Sequence, residues 1–292
     1  MFLESFELPD VAWEEGFLNN NIKMKMTCYS TVYPFKLFPA KKLTELCFEP
    51  VTLLYGSNGS GKSTLLNIIA QKISAQRGTY FNRSAFFDDY VSACEYWTPR
   101  YHTQKPGQTQ IITSDDVFDY LLDLRCMNEN IDLKREELFQ EYLDEKYSHF
   151  QMRSIEDFEK LKRHNDAQRM TTSRYVKKRV MKNLPELSNG ESAFTYFTDH
   201  IKENSLYLLD EPENSLAAGL QVKLAKFLED SARFFGCQFI IATHSPLLLS
   251  MDGARVYDLD CIPARPRPWT ELENVRVYYD FFRKYADAFE KD

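Results

Sequence analysis

Glycine is scarce in this chain of 292 residues, with only ten, and histidine (five) and tryptophan (three) are scarcer still. So little glycine, without a regular repeat, excludes collagen-like and low-complexity architectures. The six cysteines, at 28, 47, 94, 126, 237 and 261, are widely scattered and form no C-x-x-C pair. That excludes a zinc ribbon or a disulfide framework and leaves them as expected buried thiols. No run approaches the roughly 18 consecutive apolar residues of a membrane-spanning helix. The opening MFLESFELPD carries acids where a secretory signal would carry bases. A cytoplasmic protein with no membrane segment is the expectation. Basic residues are also in deficit, 36 against 43 acids for a net charge of -7, which argues against uniform coating of nucleic acid.

What the chain does have is core material. It is 43% apolar, with 22 Phe and 17 Tyr, enough for a folded α/β domain with room for an insertion. Three of the ten glycines fall within residues 56–61, which makes that stretch the place to begin. VTLLY (51–55), bounded by Pro50 and Gly56, reads as a buried strand, and LLNIIAQKI (65–73) as a helix. Between them GSNGSGKST satisfies G-x-x-x-x-G-K-[ST]. Gly56, Ser57, Asn58, Gly59, Ser60, Gly61, Lys62, Ser63 and Thr64 form the candidate phosphate loop. Its backbone N–H groups can curl around phosphate oxygens, and the helix N-terminus adds positive potential. Lys62 can reach the β- and γ-phosphates, and Ser63 can ligate Mg²⁺.

A second strand, LYLLD (206–210), ends in Asp210 and Glu211 before Pro212. A carboxylate at the C-terminal end of a parallel strand lies beside a phosphate loop, so Asp210 is a candidate Mg²⁺ ligand. Glu211, one residue on, is the candidate general base for an attacking water. In ELSNGESAF, Ser188 and Glu191 match a capping box, and Ser188 with Gly190 also makes an anion site at a helix N-terminus. The residues leave both readings open. His244 follows the strand QFIIAT (238–243), where an imidazole can meet a γ-phosphate, although a lone histidine is more often structural. His102, His149, His164 and His200 have no comparable context.

The strands, alternating with helix 216–234 and followed by RVYDL (255–259), imply a mainly parallel sheet. KLTELCF and its surroundings in the first 50 residues suggest antiparallel strands at one edge. A Pro-rich linker, IPARPRPW (262–269), precedes a last helix in ENVRVYYDFFRKYADAF. Residues 114–182, almost without Gly or Pro, read as an inserted helical subdomain. The division is therefore a core of residues 1–113 and 183–292 with an insertion at 114–182. Within the insertion, residues 153–182 hold ten bases and four acids, a local +6 that leaves the remainder at −13. That segment is a candidate DNA or RNA surface or, alternatively, a solvated helical face.

Taken in order, the phosphate loop, LSNGE, LYLLDEPEN and ATHSP resemble an ABC-class P-loop ATPase head of the soluble branch that contains SMC, RecF-type and OLD-type proteins. The resemblance spans about residues 45–260. It is closer still to stand-alone bacterial ATPases of AAA/ABC type in FEPVTLLYGSNGSGKSTLL, DEPENSLAAGLQVKLAKFLED and QFIIATHSPLLLSMDGARVYDLD. The resemblance implies ATP and Mg²⁺ as ligands and ATP hydrolysis as activity, with Lys62, Glu211 and His244 in catalysis. It implies a head-to-tail homodimer in which Ser188 and Gly190 of one copy complete the site of the other. It also implies a Gln loop before the helical insertion; Gln104 is preferred, with Gln108 and Gln110 as alternatives. Tyr33, Phe35 and Phe38 are candidates to stack on adenine. Glu191 stands where transporter cassettes usually have Gln, and Asn214–Ala217 replaces a loop that usually ends in Asp. A role in DNA maintenance or defence follows from the resemblance, with a nuclease or toxin as effector partner, since the chain carries no second catalytic motif. The alternatives are a nucleotide-gated nucleic-acid binder or partner-regulating module with little turnover, and a transporter nucleotide-binding subunit.

Overall fold

Strand β-branching and burial decide the centre of the molecule. In the computed structural model, which describes residues 1–26, 28–29, 31–99, 105–151, 154–185 and 187–289, the runs VTLLY, LYLL and QFIIA are buried on both faces. Such runs are those of a parallel sheet covered by helices. Along the chain the elements are β1 (Ser5–Glu7), α1 (Val11–Asn20), α2 (Leu37–Ala40), β2 (Glu45–Cys47), β3 (Val51–Tyr55), α3 (Lys62–Lys72), α4 (Phe87–Ala93), β4 (Glu95–Trp97) and β5 (Thr109–Thr113). The helices α5 (Ser114–Tyr147), α6 (Phe158–Arg169) and α7 (Thr172–Lys177) follow, then α8 (Asn189–His200), β6 (Leu206–Asp210), α9 (Ala218–Phe234) and β7 (Gln238–Ala242). The chain ends with α10 (Pro246–Leu249), β8 (Arg255–Asp258), β9 (Arg265–Pro266), α11 (Glu273–Lys284) and α12 (Ala286–Phe289).

Contacts divide the chain into two units, Met1–Val117 with Asn189–Asp292, and Phe118–Ser188. The first contains, among the described residues, a six-stranded sheet of order β5-β6-β7-β3-β8-β9, parallel except for β9. The N-terminal antiparallel strands form their own edge sheet, β2-β1-β4. Gln238, fully buried at the start of β7, ties the N-terminal segment to the central sheet. Its Oε1 accepts from the N–H of Phe2 (2.6 Å) and Leu3 (2.8 Å), and its Nε2 donates to Leu3 O at 2.7 Å. Helix α3 buries Leu65, Leu66, Ile68 and Ile69 completely, each worth roughly 1.5–3 kcal/mol of apolar transfer.

The register brings the C-terminal ends of the parallel strands to one edge: Thr113 lies opposite Asp210, Asp210 opposite Ala242, and Tyr55 opposite Asp258. In open α/β sheets this is the ligand-binding edge. Strand β5, at the edge of this sheet, carries no strong signal in TQIIT, and composition alone does not reveal it.

The second unit is helical. Tyr142, Ala167 and Tyr175 form its buried cluster, with the Tyr175 hydroxyl donating to Glu141 at 2.7 Å. Two of the ten bases in its charged segment are engaged by one acid: Lys178 and Arg179 lie 3.3 and 2.7 Å from Asp166. Arg179 also stacks over the Tyr175 ring, its guanidinium carbon 3.7 Å from the centroid. Lys160, Lys162, Arg169, Arg174, Lys177 and Lys182 are exposed, and Arg153 lies outside the described residues. The expectation of buried thiols holds for Cys94 and Cys237, whereas Cys28, Cys47 and Cys126 are exposed.

Candidate active site

The loop between β3 and α3 is shaped by two glycines where a side chain would crowd a neighbour or strain the backbone. A Cβ on Gly56 would come within 2.4 Å of Ser60 Oγ, and Gly61, at φ +96°, begins α3 against Leu37 Cδ2. The left-handed backbone at Gly61 turns the chain into the helix, so that the first amides of α3 face the loop's hollow. Lys62 is buried and folds back over this hollow, its Nζ donating to Gly56 O at 2.8 Å and Ser57 O at 3.2 Å. From outside, Asp260 braces the loop: its carboxylate accepts from Ser57 N at 2.6 Å and from Ser57 Oγ at 3.0 Å. Asp260 is itself placed by an N–H bond to Asp258 Oδ1, whose second oxygen pairs with Arg267 at 3.0 Å.

Four further predicted residues converge here. Ser63 Oγ donates to Asp210 Oδ1 at 3.0 Å, across the strand β7 that separates β3 from β6. Burial pushes the Asp210 carboxyl up to about 6; the Ser63 hydroxyl and Lys62 oppose the shift while Glu211 and Glu213 add to it. A carboxylate and a hydroxyl presented together are hard oxygen donors of the kind Mg²⁺ takes, and a desolvated carboxylate beside two other acids is short of positive charge. The residues fit the ion. Glu211 adopts a left-handed backbone at φ 49°, its N–H donating to Ala242 O at 2.9 Å. This strained turn at the strand end aims its side chain back toward the loop. Glu211 Oε1 lies 4.0 Å from Lys62 Nζ and 3.8 Å from His244 Nδ1, while Oε2 accepts from Asn214 Nδ2 at 3.0 Å.

Two clefts flank the loop. One, of about 680 Å³, is lined by residues 31–37, by the loop from Asn58 to Thr64 and by Glu211. Tyr33 belongs to it, with its hydroxyl 3.0 Å from Thr64 Oγ1 and its ring stacked on Phe87. Phe35 and Phe38, by contrast, are buried in the core. The other, of about 640 Å³, lies between Ser57, Asn58, Glu211, Asn214, His244 and Asp260.

Of the remaining predicted residues, Gly190 and Gln110 stand apart from this cluster. Gly190, in the first turn of α8, packs against Ser215 O (3.2 Å) and Leu220 (3.0 Å) at its Cβ position, not against the phosphate loop. Ser188 is exposed. Gln104 lies outside the described residues. Gln110 sits opposite Tyr207 in β5, three positions before the strand end, and bonds to Gln108. The β5 position beside Asp210 is Thr113, whose hydroxyl donates to Asp116 Oδ2 at 2.8 Å. From the sequence alone Asp260 and Glu213 carry no role, and Asn214 is marked only as the start of the segment that departs from the family's loop. Asp260 bonds to a residue 203 positions away, so no local spacing marks it; Asn214 and Glu213 sit inside the run LYLLDEPEN, and their partners show only in three dimensions.

This geometry can be set beside known proteins. A family model described as ABC transporter matches residues 46–214, more than half of the chain. The chain belongs to the ABC family of P-loop ATPases. The match covers the phosphate loop, Ser188, Gly190, Asp210 and Glu211 of this ABC ATPase domain and stops before His244. Similar solved structures include the SMC head domain from Thermotoga maritima, at 14% identity over 92% of this chain and 99% of that one, with a TM-score of 0.40. An SMC head bound to the C-winged helix domain of ScpA is 16% identical over 73% of this chain and 88% of that one, with a TM-score of 0.34. A metal-chelate type ABC transporter in an inward-facing conformation is 17% identical over 82% and 81%, with a TM-score of 0.36. Comparison with curated proteins gives no match. Among the described residues no helix is long and apolar enough to cross a membrane.

Proposed function

We propose that this ABC ATPase is Mg²⁺-dependent and cytoplasmic, and works by ATP-driven pairing of two copies and hydrolysis-driven release. The observation that carries the reading is the convergence of Lys62, Ser63, Asp210, Glu211 and His244 at one sheet edge. The amides of the phosphate loop and Lys62 Nζ bind the β- and γ-phosphates of ATP, and Ser63 and Asp210 would hold Mg²⁺. Bound there, the ion would neutralise charge building on the phosphate oxygens. Glu211 accepts the proton of a water whose oxygen attacks the γ-phosphorus. The bond from that phosphorus to the β-bridging oxygen breaks, leaving ADP and phosphate. His244 hydrogen-bonds the γ-phosphate, and Tyr33 offers the base a ring at the mouth of the 680 Å³ cleft. Ser188 and Gly190 serve the partner copy's nucleotide, and a Gln-loop role for Gln104 belongs to the same reading.

Glu211→Gln should bind ATP without turning it over, because the amide cannot take the proton. Its solution mass should then double with Mg²⁺-ATP, and adding Ser188→Arg should abolish the doubling. Undiminished hydrolysis in Glu211→Gln removes the base assignment; an unchanged mass despite bound ATP removes the two-copy site.

A second reading, nucleotide-gated binding of DNA or RNA, draws on the six exposed bases between Lys160 and Lys182 that Asp166 does not hold. Affinity resting on them should fall steeply with salt. Work in DNA maintenance or defence, through a nuclease or toxin partner, is the wider setting of either reading.

A further inference from the structure

Glu213 is a buried acid that the proposed chemistry leaves without a task. It is 5% exposed and sits two residues beyond Glu211. Its Oε1 accepts three hydrogen bonds from the segment after β7: from Thr243 Oγ1 at 2.6 Å, His244 N at 3.0 Å and Ser245 N at 3.2 Å. Its Oε2 is buried with no hydrogen-bond partner. A carboxylate so placed is costly, and a neutral acceptor would grip the same amides at lower cost. The charge therefore calls for another use, and the nearest ring supplies one. His244 Nδ1 is buried, lies 3.5 Å from Glu213 Oε1 and 3.8 Å from Glu211 Oε1, and completes a hydrogen bond to neither. The backbone beneath the ring is held from the other side as well, His244 O accepting from Asn274 Nδ2 at 2.9 Å and Ser245 Oγ donating to Gln221 Oε1 at 2.7 Å.

We infer that Glu213 is the positioning residue for His244. Its three accepted bonds fix the backbone of residues 243–245, and its charge keeps a proton on Nδ1, the ring edge turned toward the two carboxylates. In the imidazolium form Nε2, at the opposite edge, carries the second proton and is thereby presented as a donor to the γ-phosphate. Because Glu213 precedes Asn214, which holds Glu211 at 3.0 Å, one short segment sets both the base and the histidine. The inference rests on the ATPase reading for its consequence but not for its geometry.

The test uses the full chain with Glu213→Leu, Glu213→Asp and Glu213→Gln. Single-turnover hydrolysis, affinity for a fluorescent ATP analogue, and the ring ¹⁵N signal of His244, assigned by its loss in His244→Gln, are the three readouts. Glu213→Leu should slow hydrolysis about 30-fold while affinity stays within about threefold, the separation expected of an outer partner that orients a reacting group. Its His244 signal should move while those of the other histidines stay. Glu213→Asp, shortened by one methylene but still charged, should also lose rate and keeps the test alive where the Leu chain fails to fold. Glu213→Gln keeps an acceptor oxygen for the same N–H groups but not the charge, so affinity should hold while the rate falls and the His244 signal moves; wild-type rate and signal in this variant overturn the role given to the charge. Wild-type hydrolysis in both the Leu and Asp variants, or an unmoved His244 signal, overturns the inference. So does a parallel loss of rate and affinity in all three, which marks a purely structural residue. A wild-type chain without turnover would instead overturn the ATPase reading, and the ring signal alone would then decide whether Glu213 sets His244.

Discussion

Asp210 is held in its site at the expense of stability. Its carboxyl is raised from 3.8 to about 6 by desolvation, so between those values the folded chain binds more protons than the unfolded one. Stability must then fall as pH rises through that window, by about 3 kcal/mol once pH 7 is reached. Asp210→Asn removes the buried charge. Without Mg²⁺ the variant should be more stable than wild type by about that amount at pH 8, with the gap closing toward pH 4, as read from urea midpoints. Saturating Mg²⁺ should raise the wild type only, and the variant should lose Mg²⁺-dependent hydrolysis. Tyr33 makes a second residue-scale case. Tyr33→Ala should weaken ATP binding about tenfold by removing a ring face, whereas Tyr33→Phe, losing only the bond to Thr64, should stay within about twofold by fluorescence titration. Lys62, Ser63, Asp210, Glu211 and His244 were legible in the sequence because each sits at a fixed offset from an apolar strand. Asp260, Asn214 and Glu213 were not, because their roles depend on partners brought close only by the fold.

At the level of elements, legibility followed burial. β3, β6 and β7 announce themselves as apolar runs because helices cover both faces of the sheet. The half-buried β5, and β1 and β4 at three residues each, do not. β5 joins the visible strands by pairing with β6, whereas the segment leading into β1 is tied to β7 by a polar side chain, the fully bonded amide of Gln238. Gln238→Leu keeps the volume but strands the N–H groups of Phe2 and Leu3, and should cost about 2–4 kcal/mol in chemical denaturation. In the helical unit the local +6 overstates the surface available to a nucleic acid, since Asp166 already holds Lys178 and Arg179. Reversing Arg179 should therefore destabilise the unit through Tyr175 and Asp166. Reversing Arg174 and Lys177, which are exposed, should leave the melting temperature unchanged and weaken any salt-sensitive DNA or RNA affinity. Equal binding by wild type and the Arg174/Lys177 variant would remove the nucleic-acid reading.

For the whole molecule the question is whether one copy or two bind each nucleotide, and stability itself can answer it. A ligand that binds only the folded state stabilises by about 2.7 kcal/mol at a hundred times its Kd, whichever arrangement holds it. The dependence on protein concentration differs. If the phosphate loop of one copy suffices, the melting temperature of Glu211→Gln in saturating Mg²⁺-ATP is the same at 1 and 100 times a low protein concentration. If Ser188 and Gly190 of a second copy complete the site, melting also separates the copies, and mass action drives the midpoint up with concentration. Gly190 packs on Ser215 and Leu220 of its own copy, and Ser188, just before α8, is exposed. The expected outcome is a midpoint that climbs with concentration in Mg²⁺-ATP, stays flat without nucleotide, and is flat in both conditions once Ser188→Arg is added. A midpoint that ignores concentration while ATP is bound would make this ABC ATPase a switch that works one copy at a time.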